Sequence, residues 1–160
     1  MKKEQVFTYE EFDSIEQLEE KDAALLREAR NITSKAYAPY SHFQVGAAAR
    51  LSNGKIITGT NQENASFPAG LCAERVLLSS ISSQYDNQAI DTMAISYNSS
   101  IVDSDHPVAP CGVCRQSLSE FEDRMKQPIR LILGGMEGKI MIINGADMLL
   151  PFAFHSSDMK

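Results

Sequence analysis

Apolar residues recur at helical spacing through Leu25, Leu26, Ala29, Ile32 and Ala36. This pattern predicts a helix over roughly 20–37, closed by Pro39. Phe43 to Leu51 reads as a strand, Asn53-Gly54 as a tight turn, and Lys55 to Thr60 as the returning strand. Asn61 to Leu71 carries Asn, Ser, Pro and Gly and predicts a loop. A second helix starts near Cys72, with Val76, Leu77, Leu78 and Ile81, and a strand follows from Ile90 to Tyr97. Asn98 to Pro110 is a polar loop, longer than most connections. A third helix begins at Cys111 and carries Leu118 and Phe121. Strands follow at Ile129–Leu133 and Lys139–Ile143, separated by Gly134-Gly135 and Gly138. Asn144 to Leu150 reads as a short helix, and Pro151 opens the tail.

Strands alternating with helices imply one sheet covered by helices, an α/β fold. Residues 20–160 read as one domain and residues 1–19 as a Glu-rich N-terminal extension. Ser14-Ile15-Glu16-Gln17 has the form of a capping box, so part of that extension is expected to be helical. The chain shows neither internal repeat nor domain linker.

A chain of 160 residues is long enough for a full hydrophobic core. Its formal net charge of −6 works against a polynucleotide partner, because phosphate neutralisation by Lys and Arg dominates nucleic-acid affinity. A small uncharged ligand is expected instead. The first residues lack the apolar core of a secretion leader, and no apolar run approaches membrane-span length. Three cysteines, Cys72, Cys111 and Cys114, do not make a disulfide scaffold. The expectation is a cytoplasmic protein whose thiolates are free to bind metal.

Two segments carry the chemistry: Cys72-Ala73-Glu74-Arg75 and Pro110-Cys111-Gly112-Val113-Cys114-Arg115-Gln116. Each sits where a loop becomes a helix. Unpaired N–H groups and partial positive charge there stabilise a thiolate. Cys-x-x-Cys puts two sulfurs one turn apart, and Cys72 can supply a third. Three protein ligands leave a tetrahedral zinc one open position for water, which zinc acidifies. Glu74, on the same turn as Cys72, can take that water's proton. Three thiolates and one zinc sum to −1, and one or both of Arg75 and Arg115 are expected to offset the excess by hydrogen-bonding the sulfurs.

With these motifs the chain resembles the cytidine deaminase family, in its small homotetrameric form with three cysteine ligands. The resemblance spans roughly residues 20–155 and includes Ala36-Tyr37-Ala38-Pro39-Tyr40-Ser41-His42-Phe43, Val45-Gly46-Ala47-Ala48, Asn61-Gln62-Glu63-Asn64-Ala65-Ser66 and Leu149-Leu150-Pro151. It implies a three-layer α/β/α sandwich with a five-strand mixed sheet. It implies one zinc per subunit on Cys72, Cys111 and Cys114, with Glu74 as proton shuttle. Asn61 and Glu63 would hold the ribose 3′-hydroxyl, Phe43 would line the pyrimidine pocket, and the Ala73 N–H would hold O2. Phe154 would pack on the base in a neighbouring subunit's site, so active sites would be shared in a homotetramer. The implied reaction is deamination of cytidine and 2′-deoxycytidine in pyrimidine salvage, with no nucleic-acid or membrane partner. Phe67 stands where the family often has Tyr, and Phe154-His155-Ser156 where Phe-Gly-Pro is usual.

Other readings of the same residues stay open at this level. The paired cysteines could form a structural zinc site if His42, His106 or His155 supplied a fourth ligand. Phe43 and Phe154 fit a core as well as a pocket. The substrate could be another cytosine-bearing small molecule, such as a nucleoside antibiotic, or the chain could be an inactive zinc-binding relative. A carboxylate at Glu74 speaks for turnover, since an inactive protein has no physical need of it.

Overall fold

The computed structural model describes residues 1–160. Six strands form one sheet: β1 (Glu10–Phe12), β2 (Phe43–Leu51), β3 (Ile56–Thr60), β4 (Ile90–Ser99), β5 (Arg130–Gly134) and β6 (Ile140–Ile143). Their spatial order is β1-β6-β5-β4-β2-β3. Only β4 and β5 run parallel, so the sheet is mixed. The fold is the expected α/β/α sandwich, with six strands in place of five. The added strand comes from the extension: Glu10–Phe12 pairs antiparallel with Ile140–Ile142 and covers what would be an open edge. Phe12, Ile15 and Leu18 pack against the core, and only Ile15–Gln17 makes a helical turn.

Three helices cover the sheet: α1 (Glu20–Ile32), α2 (Ala73–Gln84) and α3 (Gly112–Met125). The pleat sorts the core into two layers, because alternate strand residues face opposite sides. Ala48, Ala94 and Ile132 face α1 and meet Leu25, Leu26 and Ala29. Ala47, Ala49, Met93, Ile95 and Leu131 face the opposite way and meet Leu77 of α2 and Leu118 of α3. Helix α1 stops earlier than its apolar pattern, at Ile32, followed by a tight turn over Thr33–Lys35. There the Thr33 hydroxyl donates to the Arg30 carbonyl, an alternative to continuing the helix.

The β2–β3 hairpin turns at Asn53-Gly54, with Gly54 at φ +83° and its N–H donating to Leu51 O. Gly59 of β3 permits close packing of α2: a Cβ there would lie 2.6 Å from the Ala73 carbonyl and 2.7 Å from Leu77 N. That contact fixes the first turn of α2 against the sheet.

Candidate functional site

Cys72 is the N-cap of α2 and Cys111 the N-cap of α3, both with extended backbone, and Cys114 follows in the first turn of α3. The two helices start beside each other, so the three sulfurs all lie within 4.8 Å of one another. Cys72 Sγ and Cys111 Sγ are 3.8 Å apart, too far for a disulfide. Two sulfurs held about 2.3 Å from one tetrahedral zinc stand about 3.8 Å apart. Soft thiolates at that spacing fit zinc over harder cations. No His, Asp or Glu joins the three sulfurs as a fourth ligand. That leaves the arrangement of a catalytic centre, not of a closed structural one.

The electrostatics follow from the crowding. The Cys72 thiol is pulled down to about 6, chiefly by a hydrogen bond from the Cys114 thiol, against burial and the Glu74 charge. Arg75 adds to the lowering through its charge, from the groove between α2 and α3. Cys114 is pushed far up, by its bond to Cys72 and by burial. Glu74 is 5% exposed, and burial raises its carboxyl above the ordinary carboxylate range.

A cavity of about 400 Å3 opens at this point. It is lined by Cys72, Ala73, Glu74 and Cys111 on one side and by Phe43, Asn61 and Glu63 on another. The structure thus brings Cys72 and Cys111, Glu74, Ala73, Phe43, Asn61 and Glu63 to one mouth, with the Cys114 sulfur buried beside them. Asn61 is already bonded within the chain: Oδ1 accepts from Val45 N (2.7 Å) and Nδ2 donates to Phe43 O (2.8 Å). Glu63 accepts from Tyr40 N (2.8 Å), Ser41 N (3.3 Å) and the Ser41 hydroxyl. That hydroxyl bond is the main reason its carboxyl sits below the ordinary range. Each side chain keeps spare capacity, one amide N–H on Asn61 and further lone pairs on both.

One expectation changes. Arg115 does not reach a sulfur: its Nε donates to Pro110 O (2.7 Å) and its Nη1 to Leu149 O (3.1 Å). Its direction is set by those carbonyls, left unpaired where loop and tail meet α3. Phe154, expected over a neighbouring subunit's base, lies outside this chain's own cavity; the residue is 59% exposed and its carbonyl accepts from Gln116 Nε2 (2.8 Å). Sequence reasoning also missed Tyr97, Val108 and Ala109, which line the cavity. The available signal was position, since ligands in α/β sheets bind beyond the carboxyl ends of parallel strands and Tyr97 lies near that end of β4.

Three cysteine sulfurs gathered at two helix starts, with a buried carboxylate beside them, are the donor set of a zinc-dependent hydrolytic site. The family model for the cytidine and deoxycytidylate deaminase zinc-binding region matches residues 19–127. The chain is 39% identical over 136 residues to a cytidine deaminase of Halalkalibacterium halodurans, covering 85% of this chain and 96% of that one. A cytidine deaminase of Sporosarcina psychrophila is 33% identical over 136 residues, covering 85% and 93%. The crystal structure of a Burkholderia pseudomallei cytidine deaminase superimposes with a TM-score of 0.71 at 38% identity, covering 82% and 97%. The chain belongs to the cytidine deaminase family.

Proposed function

We propose that this protein hydrolyses cytidine and 2′-deoxycytidine to uridine and 2′-deoxyuridine, consuming one water and releasing ammonia. The observation that carries the reading is the sulfur triad with Glu74 buried in the same cavity. Zinc held by Cys72, Cys111 and Cys114 supplies the Lewis acidity that makes a water nucleophilic near neutral pH. Glu74 takes one proton from the water that attacks C4 and delivers it to N3, then carries the second, from the hydroxyl left on C4, to the departing amine as the C–N bond breaks. Its burial supports this role, because a carboxyl that resists ionisation holds a proton between steps.

The remaining residues orient the substrate. The Ala73 N–H, free at the start of α2, donates to the pyrimidine O2. Phe43 flanks the base. Asn61 and Glu63 take the 3′-hydroxyl as donor and acceptor, and no group is required at 2′, so both sugars are substrates. Arg75 offsets the surplus charge of the thiolates. The reading favours a nucleoside over another cytosine-bearing molecule because Asn61 and Glu63 share the cavity with the metal ligands.

The working form is a homotetramer in which Phe154 of one subunit packs over a neighbour's base. Exposed Phe152 and Phe154 beside α3 support it, since a tail presenting two aromatic rings gains by covering them. Residues 20–160 are the deaminase domain, extended by residues 1–19. Pyrimidine salvage in the cytoplasm fits the three free cysteines, and no helix is long and apolar enough to cross a membrane.

The test is ammonia release from cytidine and from a single-stranded oligonucleotide of equal cytosine content. Turnover of the nucleoside alone is expected; preference for the oligonucleotide would overturn the reading.

A further inference from the structure

The segment 100–111 between β4 and α3 is not a slack connection. Ser99 N donates to Ser104 Oγ (3.0 Å), and Glu137 N donates to Ser104 O (3.2 Å). The segment presses onto the β5–β6 turn so closely that a Cβ on Gly138 would run into the Asp105 carbonyl. From this seat the chain returns to the cavity, where Val108 and Ala109 form part of the wall.

Tyr97 joins that segment to the opposite part of the wall. Its ring is 2% exposed and stacks on Phe43, with centroids 4.7 Å apart and planes 11° from parallel. The register of β2 and β4 places them together: Val45 pairs with Tyr97 and Phe43 with Ser99, so the two rings are diagonal neighbours on one face. The Tyr97 hydroxyl donates to Asp103 O (3.2 Å) and lies 3.3 Å from His106 Nδ1. The His106 ring meets Tyr97 edge-on, and its Nδ1 lies 2.9 Å from Asp105 Oδ1. Nothing in the proton-transfer or metal chemistry uses this cluster.

We infer that Tyr97 is a positioning residue for substrate binding: it fixes the plane of Phe43 with its ring and the Val108–Ala109 wall with its hydroxyl. The inference rests on the proposed function, since it takes the Phe43 side of the cavity as the base site. A wall fixed in advance lowers the ordering cost of binding. The chemical groups stand apart from it on α2 and α3, and Arg115 pins Pro110 independently, just ahead of Cys111. Loosening the wall therefore weakens binding and leaves the chemical step.

The experiment is steady-state kinetics on cytidine with zinc content measured on the same samples, for wild type, Tyr97→Phe, Tyr97→Leu, His106→Ala and the Tyr97→Phe/His106→Ala double variant. Tyr97→Phe, which keeps the stack and loses one hydroxyl, is expected to raise KM about 3- to 10-fold with kcat held within about two-fold. Tyr97→Leu raises KM further, and the double variant is less than additive because both changes break one node. Zinc stays at one per chain throughout. Wild-type KM in Tyr97→Phe and Tyr97→Leu overturns the inference alone. So does a fall in kcat together with zinc loss, which marks a merely structural role. Wild-type protein that leaves cytidine untouched overturns the functional reading and this inference with it.

Discussion

Asn61 bonds a backbone N–H and a backbone carbonyl of the same strand, and it also faces the cavity. Its sequence context, a polar loop, gave no sign of the first task. Chain-internal bonding of this kind depends on which strand start folds against it, and spacing alone does not carry that. The double use has a measurable consequence. Asn61→Ala leaves Val45 N and Phe43 O without their partner, so it is expected to cost on the order of 2 kcal/mol of stability as well as raising KM. Chemical denaturation with kinetics on the same variant separates the two effects; a KM effect with unchanged stability would contradict the stapling role. By contrast, the cysteines and Glu74 were legible because thiolate chemistry restricts where such residues can stand. Arg115 was read too simply: adjacency to Cys114 in sequence says nothing of the carbonyls its guanidinium finds in space.

At the level of elements, α2 and α3 matter more than any loop, since both place metal-ligating sulfur at a helix start. Their positions are set by packing that periodicity showed only in outline. Gly59 lets α2 lie against β3, and Gly59→Ala should push back the turn carrying Cys72 and Glu74. The expected outcome is lower zinc affinity in a chelator competition; unchanged affinity would show that α2 is placed by other contacts. Helix α3 is anchored at its far end by Glu122, whose carboxylate accepts from Ile129 N (2.6 Å), Ala146 N (2.8 Å) and Asp147 N (2.9 Å). Replacing it with Ala strands these donors, and a loss of about 3 kcal/mol or more in denaturant titration is expected. Most strands and helices were readable from periods of 2 and 3.6. The sixth strand was not, because Glu10-Glu11-Phe12 has no alternation of its own and takes its conformation from β6.

Across the whole molecule, charged residues collect at the end of the sheet opposite the sulfurs, where Arg50 meets Asp91 (3.0 Å) and Arg130 meets the buried Asp22 (2.7 Å). Burial pushes the Asp91 carboxyl up, but hydrogen bonds from Arg50 and Thr92 outweigh it and hold it below the ordinary range. A carboxyl lowered on folding stabilises the native state above its unfolded pKa of about 4 and loses that contribution as pH falls through the folded value. Thermal melts should therefore show Asp91→Asn below wild type at neutral pH, with the gap closing under acid; a gap constant in pH would contradict this. The functional account depends on one arrangement: sulfur from two helix starts on a single zinc, with Glu74 beside the open position. Its most direct test is zinc content and cytidine turnover measured together on wild type and Glu74→Ala. The account predicts one zinc per chain in both and, in the variant, a loss of turnover of about 100-fold or more. Full turnover in Glu74→Ala, or a wild-type chain that turns over cytidine without zinc, would contradict it.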